Sequence, residues 1–162
     1  MIYNLQSRVF VLISVIIITV ICLLGPVVTR RVQTAQMKTI EISADAFATA
    51  FEQVKNGELP CADLTTLTDA EWDTIYVFGP YTSEEWINES LETKWKFSKY
   101  ILIETNENIT LLLFTKDKNV VAFIELSRGI ADFAHLSGEV YNSDNACFSV
   151  DEEGKIVEVE NP

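Results

Sequence analysis

At the centre of the chain's predicted fold is ITLLLFTKDKNVVAFIEL, the stretch from Ile109 to Leu126. Its two apolar runs, Ile109 to Thr115 and Val120 to Leu126, are rich in the residue types that favour strands. The residues that join them, Lys116 to Asn119, are charged and turn-forming, so the two strands should form an antiparallel hairpin. The first run does not alternate between apolar and polar residues, which indicates a strand buried on both faces.

Upstream of the hairpin, a first helix is predicted to begin at Ser43. The Ser43 side chain can cap the N-terminus, and Gly57, followed by Pro60, can end the helix. Its buried face is predicted by four apolar residues at helical spacing, namely Phe47, Ala50, Phe51 and Val54.

A strand and a second helix should follow the first helix. The residues from Thr74 to Phe78 are β-branched and aromatic and stop at a Gly-Pro pair, which is typical of a strand that ends in a turn. The residues from Thr82 to Glu85 match the T-x-x-E capping box, which predicts a helix start. The second helix should bury one side, formed by Trp86, Ile87 and Leu91.

The remaining segments add strands and connections. A further strand is predicted at Tyr100 to Glu104, and a last hairpin at Ala146 to Val150 and Ile156 to Glu160. Cys61 to Ala70 resembles a polar connector, and Ser127 to Gly138 fits either a short helix or a loop. The order of elements indicates an α+β domain in which helices pack on a mainly antiparallel sheet.

An uncharged apolar stretch of membrane-spanning length lies near the N-terminus. Val9 to Val28 reads VFVLISVIIITVICLLGPVV, and a helix of about 20 residues crosses the hydrocarbon core of a bilayer. The apolar regions of secretory signal peptides are shorter and are followed by a small-residue cleavage site, which is missing here. The stretch therefore predicts a transmembrane helix that anchors the rest of the chain.

Charge separates the two ends of the chain. The sequence divides into a short tail at 1–8, the transmembrane helix at 9–28, a basic juxtamembrane tether at 29–42 and an acidic α+β domain at 43–162. The whole chain has a net charge of −12. Residues 1–38 contain four basic and no acidic residues, so the rest of the chain carries −16. We expect no nucleic-acid binding, because phosphate contacts require Lys and Arg. Solubility explains the charge, and a basic protein partner is the alternative.

Two features predict opposite sides of the membrane for the acidic domain. Arg30 and Arg31, next to the apolar stretch, favour the cytoplasm by the positive-inside rule. Cys61 and Cys147 are the only cysteines outside that stretch, and such a pair is compatible with one disulfide in an oxidising compartment. Two buried free thiols are the alternative. We expect a single-pass cell membrane protein whose C-terminal domain is extracytoplasmic.

The segment from Glu71 to Thr82, EWDTIYVFGPYT, is similar to a W-D-x-x-Y-x-F-G-P-Y-T segment of small, uncharacterised, membrane-anchored or lipoprotein-type bacterial proteins. Those proteins also have a later strand hairpin and an S/P-R-x-I segment, which is matched here by Ser127 to Ile130. A similar Leu-Ser-Gly-x-x-Tyr segment follows at Leu136 to Tyr141. The resemblance covers most of residues 63–150 and implies a bacterial, extracytoplasmic placement without implying an activity. The chain lacks the lipobox of the lipoprotein members.

No catalytic signature is present in the sequence. The G-x-S-x-G, P-loop and G-x-G-x-x-G motifs are missing. A zinc site requires more ligands than one histidine, His135, and two distant cysteines. We expect no cofactor and no metal. The enzymatic alternative is a thiol-dependent or hydrolytic enzyme in which His135 activates Cys147.

Trp72, Asp73, Tyr76, Pro80 and Tyr81 form the densest group of unusual residue types. They can fill the edge of a core and turn the chain, or they can form an interaction surface, since Trp and Tyr are enriched in binding hot spots. Our leading hypothesis is a membrane-anchored, extracytoplasmic protein-binding module without enzymatic activity. The second hypothesis is an inhibitor or immunity-type protein whose acidic face blocks a basic enzyme.

Overall fold

The computed structural model describes residues 39–96 and 98–159. These residues form an α+β domain, which confirms the predicted class. The predicted transmembrane stretch, Val9 to Val28, lies outside the described residues. Within the described part of the chain, no helix has both the length and the apolar character needed to span a bilayer.

The described residues contain eight strands and two α-helices. The strands are β1 (Ile40–Glu41), β2 (Ala62–Asp63), β3 (Thr74–Phe78), β4 (Ile109–Lys116), β5 (Asn119–Ser127), β6 (Val140–Asn142), β7 (Cys147–Val150) and β8 (Ile156–Glu158). The helices are α1 (Ala44–Lys55) and α2 (Glu84–Ser90).

The larger sheet has five strands in the order β1-β5-β4-β3-β6. It is mixed rather than purely antiparallel, because β1 pairs with β5 in parallel. The predicted central hairpin is confirmed as β4 and β5, and its turn residues Asp117 and Lys118 have φ angles of 48° and 64°. Positive φ at both turn residues suits a two-residue hairpin turn, whose twist matches that of the strands. A second, antiparallel sheet has the order β2-β7-β8.

The five-stranded sheet is buried on two faces. We call face one the side that includes Ile75, Leu112 and Phe114; α1 and the three-stranded sheet cover it. Face two is the side of Tyr76 and Leu113, with their neighbours on β5; α2 covers it together with Leu91, Trp95 and Ile103. The alternation between the two faces follows the register of the strands. It confirms that β4 is buried on both sides.

Helix α1 follows its predicted pattern. The Ser43 hydroxyl accepts a hydrogen bond from the Asp45 N–H at 3.3 Å, and the four predicted apolar residues are buried. Gly57 follows the helix with a φ of 72°, a conformation that glycine adopts without steric cost.

Helix α2 begins one residue later than the capping box predicts. The N-cap is Ser83, whose hydroxyl accepts from the Trp86 N–H at 3.2 Å. The Thr82 hydroxyl instead donates to the Gly79 carbonyl at 2.7 Å and supports the preceding turn. Ile87 and Leu91 are buried as predicted, but the predicted burial of Trp86 is wrong, since its side chain is 54% exposed.

The predicted strand at Tyr100 to Glu104 is also wrong. Its backbone groups bond to side chains and loops rather than to a neighbouring strand. The Leu102 N–H donates to the Glu125 carboxylate, and the Ile103 carbonyl accepts from the Tyr81 N–H at 2.8 Å. A 3₁₀ turn at Ser98–Tyr100 precedes this segment.

Three short strands were not predicted. Ile40 and Glu41, placed in the tether by their sequence, pair with β5, and the Thr39 hydroxyl donates to the Val120 carbonyl at 3.0 Å. Ala62 and Asp63 form β2 within the predicted connector. The open segment from Ser127 to Gly138 is a loop with one 3₁₀ turn and leads into β6. The last hairpin, β7 and β8, is confirmed with shorter strands.

Candidate protein-binding surface

Two of the five residues in the predicted interaction surface are structural. Trp72 is only 7% exposed and packs edge-on against Phe114, with ring centroids 5.1 Å apart. The Asp73 carboxylate accepts the backbone N–H of Asp117 at 3.0 Å, and this hydrogen bond lowers the pKa of Asp73. Asp73 therefore ties the start of β3 to the turn of the central hairpin.

The other three residues lie at different depths. Tyr76 is half-buried on face two and stacks with Phe78, with ring centroids 6.4 Å apart. Pro80 is half-buried in the turn after β3. Tyr81 is 61% exposed, and its hydroxyl donates to the Glu107 carboxylate at 3.2 Å, which raises the pKa of Tyr81. Tyr76 is therefore partly accessible in the middle of β3, and Tyr81 is exposed beyond the end of that strand.

The flanks of α2 face different neighbours. On one flank, the Glu84 carboxylate accepts from the Ser98 hydroxyl at 2.7 Å and the Asn88 side chain accepts from the Trp95 N–H at 2.7 Å. Trp95 lies over β5 and packs on a phenylalanine ring of that strand. Successive helical residues are rotated by about 100°, which places Trp86 on the opposite flank, away from β5.

Strand β6 continues face two beyond that flank. Val140 is paired with Tyr76, so the two side chains lie on the same side of the sheet. Val140 is 49% exposed. We use the name edge groove for the side chains of Tyr76, Trp86 and Val140, which lie on the face-two side of the sheet and are partly or largely exposed.

Most of the outward backbone groups of β6 are not used by β3. The Asp73 carbonyl accepts from the Ser143 N–H at 3.0 Å, and the Val77 N–H donates to the Glu139 carbonyl at 3.2 Å. Bonded and non-bonded pairs alternate along an antiparallel ladder. The N–H and C=O groups of Val140 and the N–H of Asn142 therefore point away from β3, and both residues are exposed. The Asn142 carbonyl belongs to the N-cap of the 3₁₀ turn Ser143–Asn145 and accepts its first hydrogen bond.

Carboxylates lie beside this edge on face one. Glu139 and Glu158 are exposed. Together with burial, their negative charges raise the pKa of Tyr141, the β6 residue whose backbone groups bond to β3. Burial is the largest cause of the shift, followed by the two carboxylates. The edge thus has an apolar side, the edge groove, and an acidic side around Tyr141.

The two cysteines form a disulfide. Cys61 and Cys147 have Cα atoms 5.6 Å apart and join β7 to the residue preceding β2. While the bond is present, Cys147 has no thiolate that could act as a nucleophile. The His135 Nε2 atom lies 2.9 Å from the Ile156 carbonyl oxygen, so this ring is engaged with β8.

One other feature resembles a site. A shallow cavity of about 380 Å³ is lined by Glu41, Ile42, Ser43, Ala44, Ile124 and Glu125. Partial burial raises the pKa of Glu125, and the Glu41 carboxylate contributes to the shift. Across residues 39–96 and 98–159, no group of three or more His, Cys, Asp or Glu side chains is arranged to hold a metal ion.

Comparisons with protein-family models, curated proteins and solved structures gave no match. The resemblance of the segment from Glu71 to Thr82 to bacterial membrane-anchored proteins therefore stays a prediction.

Sequence reasoning missed two residues of the edge groove. The predicted buried side of α2 includes Trp86 together with Ile87 and Leu91, but only the spacing of Ile87 and Leu91 indicates which side of α2 is inward. Val140 lies in the short alternating run Glu139 to Asn142, which is a weak strand signal. Its exposure depends on its place at the edge of the sheet.

Proposed function

We propose that this is a single-pass, membrane-anchored protein whose acidic domain lies outside a bacterial membrane, binds another protein and catalyses no reaction. The apolar stretch from Val9 to Val28 supports the anchor. The disulfide between Cys61 and Cys147 supports the extracytoplasmic placement, because such bonds persist in oxidising compartments.

The edge groove is the observation on which the binding function rests. It includes an exposed indole and an exposed valine side chain, the valine lies on an edge strand, and the domain has a strongly negative net charge. Aromatic residues at a surface are favoured anchors for protein partners. Exposed sheet edges also pair readily with other chains unless they are protected. The groove and the edge together form a site that a partner can complete.

The net charge favours a second candidate function. Residues 39–162 carry −16, which suits an inhibitor or immunity-type protein that blocks a basic enzyme. Affinity in that case should fall steeply with salt, because at 0.1 M ionic strength exposed charges more than about 10 Å apart are largely screened from one another. If binding depended on apolar contacts alone, the affinity would change little over the same range of salt concentration.

Photo-crosslinking in native membranes tests the proposed function. A photoreactive phenylalanine analogue would replace Trp86 in one variant and Glu52, an exposed residue of α1, in the control. We expect a discrete protein adduct from position 86 and none from position 52. Equal adducts from both positions, or none from either, would contradict binding at the edge groove.

Topology is tested separately in the same cells. The full chain should sediment with membranes, and external protease should digest the acidic domain in spheroplasts. Complete protection of that domain would contradict the extracytoplasmic placement while leaving protein binding open.

A further inference from the structure

We infer that the partner binds as an extended segment that adds a strand to the outer edge of β6, and that this segment alternates apolar and basic residues. This inference rests on the proposed function and specifies the partner's chemistry. It follows from three properties of the edge, namely its free backbone, its apolar side and its acidic side.

The backbone provides the pairing groups. Val140 presents an N–H donor and a C=O acceptor away from β3, and Asn142 presents an N–H donor. An added strand satisfies such groups with main-chain hydrogen bonds, which is the mode of recognition called β-augmentation. Within the described residues, β6 is the last strand on this side of the sheet, so no described strand occupies the position.

The chemistry on the two faces of the sheet beside β6 predicts which types of side chain the added strand carries. Side chains of an added strand would alternate between the two faces of the sheet. On face two they would meet Val140 and the flank of α2 that holds Trp86, which favours apolar residues. On face one they would approach Glu139, Tyr141 and Glu158, which favours Lys or Arg.

A second copy of the chain fits this edge poorly. Each copy carries −16 in residues 39–162, and pairing two β6 edges would bring the Glu139 carboxylates of both copies to one interface. Like charges placed across strands destabilise the pair. The observations therefore favour a basic partner segment over self-association.

Binding of a short peptide of alternating lysine and valine to the full chain in detergent micelles tests the inference. The control is the matched peptide of alternating glutamate and valine. We expect the lysine peptide to bind at least tenfold more tightly, and its Kd to rise about tenfold when the salt is raised from low to moderate ionic strength. Hydrogen exchange of single amides, read by NMR, should slow at Val140 and Asn142 when the lysine peptide is bound.

Two substitutions at Asn142 separate strand addition from side-chain docking. Asn142→Pro removes an outward N–H that β3 does not use, and proline is tolerated on edge strands. The φ of Asn142, −89°, is close to the proline range. We expect Asn142→Pro to weaken peptide binding about fivefold, as loss of one hydrogen bond does. Asn142→Ala keeps the N–H and should bind like the wild type.

A second matched pair tests the groove. Trp86→Ala should weaken binding of the lysine peptide about tenfold, because Trp is a frequent hot spot. Leu102→Ala, at an exposed residue over β5, should leave the affinity unchanged. If Asn142→Pro does not fold, a lysine peptide N-methylated on the residues whose N–H groups face the edge serves in its place and should not bind. The peptide methylated on the alternate residues should bind normally.

The outcomes are distinct. Binding without slowed exchange at Val140 and Asn142 overturns strand addition, and equal affinity for the glutamate peptide overturns the basic class of partner. Concentration-dependent self-association that protects the same amides identifies a second copy and also overturns the inference. If no peptide binds, the inference fails, whereas adducts from position 86 in membranes would still support the proposed function.

Discussion

The two faces of the five-stranded sheet are closed to different degrees. Face one is covered by α1 and a second sheet, and the disulfide between Cys61 and Cys147 joins the start of β2 to β7 within that sheet. Face two is covered by a short helix together with Leu91, Trp95 and Ile103, and Val140 of β6 on this face is 49% exposed. In the proposed function the two faces have different roles: face one provides stability, and the exposed end of face two binds the partner.

Among the substitutions considered for the two faces, loss of the disulfide should lower the free energy of unfolding the most. The bond joins residues separated by 86 positions, and closing a loop of that size stabilises a protein by about 4.5 kcal/mol in the chain-entropy account. We expect the double variant Cys61→Ala, Cys147→Ala to lose about that much free energy of unfolding in urea denaturation. The wild type under reducing conditions is the control and should lose a similar amount of free energy of unfolding. A loss well below about 1 kcal/mol would show that face one does not depend on the bond.

The well-closed parts of the fold are those that the sequence predicted best. Strands β3, β4 and β5 and helix α1 have local apolar patterns long enough to specify both the type of element and its buried side. The hairpin turn at Asp117 and Lys118 also has its own local signal. In these segments, local preference and tertiary packing agree.

The candidate site was predicted less well, and the reasons are physical. Strand β6 has only three residues, and its pairing with β3 depends on contacts distant in sequence. Trp86 changes from buried to exposed through a rotation of one residue around α2, which no local pattern specifies. Tyr76 was included in the predicted surface and does line the edge groove. Trp72 and Asp73 were included as well and are structural.

Substitution of the N-cap residue of α2 tests how much this cap contributes to the stability of the helix that covers face two. Ser83→Ala removes the hydroxyl that accepts from the Trp86 N–H, and we expect a loss of about 1 kcal/mol in the free energy of unfolding. Ser83→Gly should cost only about a few tenths of a kcal/mol, since glycine is tolerated at an N-cap. Equal stability of Ser83→Ala and the wild type would contradict the assigned cap.

The carboxylate of Glu125 should have a smaller effect on the free energy of unfolding, and this effect should depend on pH. Burial raises its pKa, so the folded state favours the protonated form. Its stabilising contribution is present below the unfolded pKa, about 4.3, and is lost as pH rises through the folded value. Glu125→Gln keeps an acceptor for the Leu102 N–H and removes the charge.

We therefore expect Glu125→Gln to be more stable than the wild type at neutral pH, by about a few tenths of a kcal/mol. The difference should vanish near pH 4, where the wild-type carboxyl is largely protonated. Urea denaturation at both pH values measures it. A variant that is less stable than the wild type at neutral pH would indicate that the charged carboxylate stabilises the cover of face two.

Two adjacent residues of α2, one exposed and one buried, should differ sharply in how much their substitution lowers the free energy of unfolding. The exposed residue should have one of the smallest effects. Trp86→Ala should change the free energy of unfolding by less than about 0.5 kcal/mol, because an exposed side chain contributes little to the core. Ile87→Ala, at the neighbouring buried position, should cost about 3 kcal/mol by leaving a cavity under α2. Chemical denaturation of the two variants in parallel compares them directly. If Trp86→Ala is as destabilising as Ile87→Ala, the indole holds α2 on the sheet, and its exposure reflects a structural role rather than a site kept open for a partner.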